Sequence, residues 1–150
     1  MFEFNETALT FDDVLIEPQY SEVPSRSFVD VATNLGSDIN LRVPIISANM
    51  DSITELDMAS AMSRAGGLGV VHRFMSISEQ VTIIDDFIQA NNNGYIGAAV
   101  GVKSDCTDRA KACYESGANT LVLDVAHGHS KAVAEAINRI KTMYPAAHII

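Results

Sequence analysis

The chain has 150 residues, of which 47% are hydrophobic and 19% are charged, a composition typical of a globular protein with one modest core. Ten lysines and arginines against nineteen acidic residues give a formal net charge of −9, which repels nucleic-acid backbones and anionic lipid surfaces. The sequence contains neither a signal peptide nor an apolar run of the roughly 20 residues that span a membrane. We therefore expect a cytoplasmic protein that binds no nucleic acid and no membrane.

The chain begins with a segment without regular apolar spacing, and we expect residues 1–43 to form an irregular lead-in. Five short apolar runs follow it. They are continuous rather than alternating and rich in valine and isoleucine, which is typical of strands buried on both faces of a parallel sheet. The predicted strands are residues 44–48, 68–71, 95–100, 120–123 and 148–150.

Segments with helical spacing separate these strands. A serine three residues before a glutamate, at Ser52 and again at Ser76, predicts the beginning of the first and second helices. Gly66 is expected to end the first helix, and the third is predicted from about Asp105 to Gly117. The stripes expected to face the core are Ile77, Val81, Ile84 and Ile88 in the second helix, and Val133, Ile137, Ile140 and Tyr144 in the fourth, before Pro145.

Regular alternation of strands and helices predicts a (β/α)8 barrel or an open doubly wound sheet, and periodicity does not separate them. The first strand lacks the Gly-x-Gly-x-x-Gly pattern of dinucleotide-binding folds, which favours the barrel. Because a barrel needs about 250 residues, we expect residues 44–150 to hold strands 1–4 and the start of strand 5. Exposed sheet edges favour pairing with another chain, so the remaining half is expected to lie elsewhere.

Two cysteines lie seven positions apart in the third predicted helix, at Cys106 and Cys113. Their separation of about 10 Å along the helix axis is too large for a disulfide. Neither belongs to a Cys-x-x-Cys pair or lies beside a histidine. We expect buried core thiols rather than zinc ligands or nucleophiles.

Four motifs resemble a known family. They are Leu9-Thr-Phe-Asp-Asp-Val-Leu15, Pro44-Ile-Ile-Ser-Ala-Asn-Met-Asp51, Gly67-Leu-Gly-Val-Val-His72 and Leu123-Asp-Val-Ala-His-Gly-His-Ser130. Together they resemble the IMP dehydrogenase/GMP reductase family of (β/α)8 barrels. The resemblance implies a purine-nucleotide enzyme that uses a nicotinamide cofactor and assembles as a homotetramer.

Within the family, the resemblance favours a GMP reductase, which converts GMP and NADPH to IMP, ammonia and NADP. Ala48-Asn49-Met50, Ser25-Arg26 and His72-Arg73-Phe74 are similar to reductase elements, and no regulatory domain is inserted after the second helix. Gly66-Gly-Leu-Gly69 and Met75-Ser76 are similar to dehydrogenases instead. The alternatives are an IMP dehydrogenase without regulatory domains, which converts IMP and NAD to XMP and NADH, a non-catalytic nucleotide-binding module, or a half-barrel that regulates the assembly of full-length subunits.

The resemblance also implies the residues that bind the cofactor. Asp124 would accept hydrogen bonds from the nicotinamide-ribose portion, with backbone contacts from Val125 and Ala126. Ser25 and Arg26 would hold the phosphate that distinguishes NADPH from NADH, a group that guanidinium binds well. The simpler alternatives are that Asp124 caps the next helix and that Arg26 is a solvated surface residue.

Three further positions surround the same predicted site. The resemblance places Arg73 near the cofactor, although a salt bridge with nearby acids is an equal alternative. It places Asn49 and Met50 in the nucleotide pocket, with core packing as the alternative for Met50. His72 is expected to be a structural histidine.

His127 and His129 flank Gly128 after the fourth predicted strand. Two histidines alone are too few ligands for a typical metal site, so we expect no metal ligands here. We expect a loop in which the glycine permits an unusual backbone turn beneath the cofactor, with a histidine stacking on a base. Ser130 is predicted to cap the fourth helix.

For a GMP reductase, the resemblance implies that a cysteine attacks C2 of GMP and that NADPH reduces the covalent intermediate after ammonia leaves. In the family, this cysteine, a monovalent-cation loop, the phosphate-binding glycines and the acid and base residues follow the fifth strand. We therefore expect no catalytic residue in this chain. Turnover is expected to require a complementary C-terminal half-barrel.

Overall fold

The computed structural model describes residues 7–36, 38–91 and 94–150, and it divides the chain into two units, Met1–Asp30 and Val31–Ile150. The described part of the first unit contains two short 3-10 helices, Phe11–Asp13 and Arg26–Phe28. Its described residues are all exposed, including the large apolar side chains of Leu15 and Ile16. None of the described helices in either unit has the length and apolar character needed to cross a bilayer.

The second unit begins with an antiparallel hairpin of two strands, β1 (Thr33–Asn34) and β2 (Asn40–Leu41). The predicted lead-in is therefore not irregular throughout. Four parallel strands follow and lie in the sheet in chain order, β3-β4-β5-β6. The helices and strands are α1 (Leu56–Ala65), β3 (Gly69–Val71), α2 (Ile77–Ala90), β4 (Ile96–Val100), α3 (Cys106–Glu115), β5 (Thr120–Leu123), α4 (Lys131–Met143) and β6 (His148–Ile149).

The two faces of the sheet are covered differently. All four helices pack on one face, where Ile96, Ala98 and Leu121 of the strands belong to the same buried cluster as residues of each helix. The hairpin packs on the other face, with Ile39 and Leu41 against Leu68, Val70 and Ala99. A doubly wound sheet carries helices on both faces. One layer of helices on a sheet in sequential order is the arrangement of part of a (β/α)8 barrel, which confirms the barrel prediction.

A polar contact joins the hairpin to the last strand. His148 Nε2 lies 2.8 Å from the carbonyl oxygen of Leu35, and His148 Nδ1 lies 2.7 Å from Thr120 Oγ1. Both ring nitrogens therefore have partners, and which of them carries a proton depends on the tautomer. The contact joins the hairpin to β6, although the two residues are 113 positions apart in the sequence.

The first predicted strand, residues 44–48, is wrong in extent. A single parallel bridge joins Ile46 to Leu68, supported by bonds from Ser47 N to Leu68 O (2.9 Å) and from Leu68 N to Ile45 O (3.0 Å). Ile45 is 56% exposed rather than buried. In the described part of the chain this segment has a strand neighbour on one side only, so its length is not reinforced by a second ladder.

The capping prediction is confirmed for α2 and wrong for α1. Ser76 Oγ accepts a bond from Glu79 N (3.2 Å), and Ser76 N donates to Glu79 Oε2 (2.8 Å). Helix α1 begins three residues later than the signal at Ser52 predicts, because residues 51–53 form a turn. The buried Thr54 hydroxyl lies 2.6 Å from the carbonyl oxygen of Ala48 and anchors that turn to the preceding segment.

The predicted stripe of α2 is confirmed at Ile84 and wrong at Ile88, which is 40% exposed. The other buried residues of the helix are Gln80 and Phe87, while Ile77 and Val81 are half-buried. Because Gln80 is buried on the core side, the buried face of α2 is rotated about the helix axis relative to the predicted apolar stripe. In α4 the predicted Val133 and Ile140 are buried together with Ala136, while Ile137 and Tyr144 are half-buried. The C-terminal glycine of α1, Gly66, has the predicted left-handed conformation with φ of 97°.

Cys106 and Cys113 are free and buried, which confirms the prediction of core thiols. Burial raises the pKa of the Cys113 thiol to about 12. It also raises the pKa of Cys106. Because the thiolate is the reactive form, both thiols are unreactive in the folded protein.

We expect the Gly69→Ala substitution to lower the free energy of unfolding by about 1–3 kcal/mol through overpacking. A Cβ atom at Gly69 would collide with the Cα atom of Ala59 and lie 2.8 Å from its Cβ, so α1 would have to move away from β3. Urea unfolding followed by circular dichroism measures the change. Gly128→Ala is the matched control, because a Cβ there meets nothing within 4 Å and that variant should retain wild-type stability. Equal midpoints for the two variants would contradict the packing argument.

Candidate active site

The carboxyl ends of the parallel strands meet at one edge of the sheet, where barrel enzymes bind their ligands. An open cavity of about 400 Å³ lies at this edge, lined by Asn49, Met50, Asp51, Phe74 and Asp124. Three of these residues, Asn49, Met50 and Asp124, are predicted site residues that the fold brings together. Asp51 and Phe74 were not singled out as site residues from sequence, although Asp51 ends one of the four family motifs and Phe74 belongs to the reductase-like element His72-Arg73-Phe74.

Asp124 directly follows β5, and its backbone N–H donates to Val100 O at 2.9 Å, which continues the ladder with β4. Its Oδ2 atom accepts a bond of 2.8 Å from Arg73 Nε, and its carbonyl oxygen lies 3.4 Å from Arg73 Nη2. Asp124 does not cap α4, because Ser130 does so by accepting a bond from Val133 N at 3.4 Å. The helix-cap alternative for Asp124 is therefore wrong, and the prediction for Ser130 is confirmed.

Arg73 follows β3 and forms the salt bridge that was one of its two interpretations. The side chains of Arg73 and Asp124 are 33% and 28% exposed, so the pair is partly screened by solvent. The guanidinium carbon lies 5.0 Å from the centre of the Phe74 ring, within cation–π range. These contacts hold the Asp124 carboxylate at the cavity through its Oδ2 atom.

His72 is a structural residue, as predicted. It is 2% exposed, and its Nδ1 atom accepts a bond of 3.1 Å from Phe74 N. Its Nε2 atom lies 3.2 Å from Glu55 Oε1. These bonds fix the start of the loop after β3, and so help to place Phe74 at the cavity.

A buried polar network beneath the site was not predicted. Arg109 is 6% exposed, and its guanidinium donates to Asp105 Oδ2 (2.9 Å), Gln80 Oε1 (2.9 Å) and Met75 O (3.0 Å). The amide of Gln80 donates to the carbonyl oxygens of two strands, Val71 at 3.3 Å and Ala99 at 3.0 Å. The network fastens the loop after β3 to α2, α3 and the sheet. The only signal in the sequence for this network was one polar residue on the core-facing side of each of two helices, Gln80 in α2 and Arg109 in α3.

The loop after Asp124 differs from its prediction. Val125 is half-buried, whereas Ala126, His127, Gly128 and His129 are exposed. Gly128 does not adopt a positive φ, unlike Gly36, Gly66 and Gly117 among the described glycines. The prediction of an unusual turn at Gly128 is therefore wrong, because the loop is open enough for ordinary backbone angles. No three potential ligand side chains within the described ranges form a metal-binding group.

Ser25 and Arg26 belong to the first unit. Ser25 caps the short helix Arg26–Phe28, where its Oγ atom accepts a bond of 3.3 Å from Ser27 N. The Arg26 side chain is exposed. Their contact with the cofactor phosphate stays a prediction, as do the cofactor roles of Arg73, Val125 and Ala126.

The comparisons with known proteins agree with one another on the family. The family model of the IMP dehydrogenase / GMP reductase domain matches residues 8–150. The inosine-5'-monophosphate dehydrogenase of Nitrosopumilus maritimus is 27% identical over an alignment of 270 positions, which covers 99% of this chain and 56% of that protein. That of Borreliella burgdorferi is 32% identical over 197 residues, covering 99% of this chain and 48% of the relative.

A GMP reductase is also similar. The protein of that name from Leishmania donovani is 47% identical over 76 residues, which cover 51% of this chain and 15% of the relative. The chain spans about half the length of the two dehydrogenases that it matches almost throughout. Since the family model extends over nearly all of its residues, the chain belongs to the IMP dehydrogenase/GMP reductase family.

Proposed function

We propose that this chain supplies part of the cofactor and purine site of a GMP reductase, which converts GMP and NADPH to IMP, ammonia and NADP. The observation that supports this proposal most directly is the convergence of Asn49, Met50 and Asp124 on one cavity. The cavity lies at the carboxyl edge of the sheet, the edge that carries the active site in barrel enzymes. A nicotinamide cofactor, when bound, supplies the hydride.

The cavity fits a ligand with flat rings and hydroxyl groups. Met50 and Phe74 offer apolar surface, while Asn49 and Asp124 offer polar groups beside it. In this proposal, Asp124 accepts hydrogen bonds from ribose hydroxyls through Oδ1, because Arg73 already engages Oδ2. Asn49 and Met50 line the purine pocket, and Val125 and Ala126 add backbone contacts to the cofactor.

The preference for NADPH rests on Ser25 and Arg26. A guanidinium beside a hydroxyl suits the additional phosphate of that cofactor, since arginine binds phosphate through two parallel bonds. Arg26 is exposed and available to such a group.

The rest of the barrel is proposed to come from residues outside these 150, as a complementary C-terminal half-barrel in a homotetrameric enzyme. Apolar side chains on the first segment and its turn, Ile45, Ile46 and Ile53, are exposed at the sheet edge and offer a surface for it. An exposed edge of this kind favours pairing with further strands. The catalytic residues belong to that half, so the chain alone is proposed to be inactive.

We also propose that residues 44–150 form the first half-barrel without an inserted regulatory domain. The short connection from α2, which ends at Ala90, to β4, which begins at Ile96, supports this division. The alignment with the Nitrosopumilus maritimus enzyme spans 270 positions, nearly twice the length of this chain, so that relative carries many residues without a counterpart here.

A second candidate is an IMP dehydrogenase, which converts IMP and NAD to XMP and NADH. It is favoured by two relatives that match 99% of this chain and are named as dehydrogenases. Ser25 and Arg26 do not support this candidate, because NAD lacks the phosphate that they are proposed to bind.

Reconstitution tests the proposal. The chain is mixed with a complementary C-terminal half-barrel, and NADPH absorbance is followed with GMP, in parallel with NADH formation from IMP and NAD. We expect oxidation of NADPH that depends on both halves and on GMP. Turnover by this chain alone would contradict the proposal, and NADH formation without NADPH oxidation would replace it with the dehydrogenase. A reconstituted barrel that binds neither nucleotide would indicate a half-barrel with a role in assembly.

A further inference from the structure

Arg73 and Asp124 form their ion pair across a strand that lies between them. Arg73 follows β3, Asp124 follows β5, and β4 is the middle strand of the three. Neighbouring strands are about 4.8 Å apart, so β3 and β5 are separated by about 10 Å. The Arg73 side chain therefore has to pass over the carboxyl end of β4 before its Nε atom can donate to Asp124 Oδ2 at 2.8 Å.

This crossing takes place at Gly101, a buried residue that directly follows β4. A Cβ atom at this position would lie 3.7 Å from Arg73 Cζ, 3.7 Å from Arg73 Nη1 and 3.8 Å from Arg73 Nε. These are the three nearest atoms that it would meet outside its chain neighbours. The space beside Gly101 into which a larger side chain would extend is thus occupied by the Arg73 guanidinium.

The backbone at Gly101 does not itself require a glycine. Its φ is not positive, so a residue with a side chain can adopt the same backbone angles. No backbone atom is among the three nearest neighbours of its Cβ position, whereas at Gly69 a Cβ would collide with the backbone of Ala59. The absence of a side chain at position 101 is therefore needed for the passage of Arg73 and not for the conformation of the chain.

The crossing arginine contacts two residues of the candidate active site. It donates to the Asp124 carboxylate, and its guanidinium carbon lies 5.0 Å from the centre of the Phe74 ring. Both partners line the cavity of about 400 Å³. A displacement of the guanidinium would therefore change the positions of two side chains at that cavity.

We propose that Gly101 is a positioning residue of the candidate active site, because its lack of a side chain lets Arg73 cross β4 and hold Asp124 at the cavity. The size of the side chain at this position determines the effect. An alanine Cβ would be in ordinary van der Waals contact with the guanidinium. The methyl groups of valine extend about 1.5 Å further and would displace it. Valine is favoured in strands, so it should not disturb the backbone at the end of β4.

The position of Arg73 is measured in 15N NMR spectra of the full chain without any nucleotide. The Nε–H groups of Arg73 and Arg109 both donate to aspartates, at 2.8 and 2.9 Å. We expect Gly101→Val to lose the Arg73 Nε–H signal through exchange with water, and Gly101→Ala to keep it. The Arg109 signal should persist in both variants and is the control for folding, since Arg109 is 6% exposed. An unchanged Arg73 signal in Gly101→Val would overturn the proposal.

The effect on the cofactor rests on the proposed function and is measured in the reconstituted enzyme. We expect Gly101→Val to lower kcat/KM for the nicotinamide cofactor about three- to tenfold. Most of the change should be in KM, since ribose hydrogen bonds are made in the ground state as well as in the transition state. In an Arg73→Ala background the same valine should change kcat/KM less than about twofold, because the side chain that it displaces is gone. An equal loss in both backgrounds would refute a role through Arg73.

The two measurements separate this proposal from the proposed function. A reconstituted barrel that turns over neither GMP nor IMP would contradict the proposed function, and the Arg73 signal would then decide the role of Gly101. If Gly101→Val fails to fold, we expect the double variant Gly101→Val/Arg73→Ala to fold, since the overlap is removed. Failure of both variants to fold would show that the glycine is needed by the strand itself and would overturn the proposal.

Discussion

Replacing Arg109 with methionine is expected to lower the free energy of unfolding by about 3 kcal/mol. Methionine fills a similar volume, so the loss comes from polar groups and not from a cavity. The amide oxygen of Gln80 and the carbonyl oxygen of Met75 lose their partner in the protein interior. The Asp105 carboxylate is 46% exposed and is rehydrated, so its share of the loss is small.

Urea unfolding followed by circular dichroism measures this effect. Lys111→Met is the control, because Lys111 lies on the exposed side of the same helix, and its change should stay within about 0.5 kcal/mol. The double variant Arg109→Met/Gln80→Leu removes both sides of the buried contact and should cost less than the sum of the two single changes. An Arg109→Met variant as stable as the control would show that water replaces the guanidinium without cost.

The same network makes the stability of the protein depend on pH in the acidic range. The hydrogen bond from Arg109 lowers the pKa of Asp105 below its ordinary value of 3.8. A lowered carboxyl pKa stabilises the fold above that ordinary value, and this contribution is lost as the pH falls through the pKa of the folded state. In Arg109→Met this part of the acid sensitivity should disappear.

Replacing Asp124 with asparagine in the reconstituted enzyme is expected to lower kcat/KM for the nicotinamide cofactor by roughly 10- to 100-fold. The amide keeps the shape of the carboxylate but removes the charge that would strengthen the proposed hydrogen bonds to ribose hydroxyls. It also weakens the bond of 2.8 Å from Arg73 that orients the side chain. Steady-state rates at varied cofactor concentration measure the loss.

Asp108→Asn is the matched control for that substitution, because Asp108 is an exposed acid on α3 away from the cavity. It should leave kcat/KM unchanged. Arg73→Met tests the orienting role separately and should cause a smaller loss than Asp124→Asn, since the carboxylate charge remains. Wild-type kinetics in Asp124→Asn would remove Asp124 from the cofactor site.

Local signals explain which parts of the fold were predictable. The capping box at Ser76 and the glycine at Gly66 act through bonds to residues a few positions away, so the sequence around them is sufficient. The buried face of α2 depends instead on Gln80, whose partner Arg109 lies 29 positions later. The extent of the first predicted strand depends on its neighbours in the sheet, which its own residues do not encode.

The same distinction holds for the candidate site. The position of Asp124 after an apolar strand places it at the carboxyl edge, and the family resemblance adds Asn49 and Met50. The bond between Arg73 and Asp124 joins residues 51 positions apart, so a salt bridge could be named only as one of two interpretations. The open conformation at Gly128 could not be predicted, because a glycine permits both ordinary and left-handed backbone angles.

The contact between Leu35 and His148 sets an order in which the second unit can be completed. The two residues are 113 positions apart, so this contact cannot form until nearly all of the unit has left the ribosome. The hairpin can pack against β3 and β4 much earlier, since Leu68, Val70 and Ala99 are synthesised long before β6. In the nascent chain, the hairpin therefore packs first on an incomplete sheet. The contact of the His148 imidazole with Leu35 forms last.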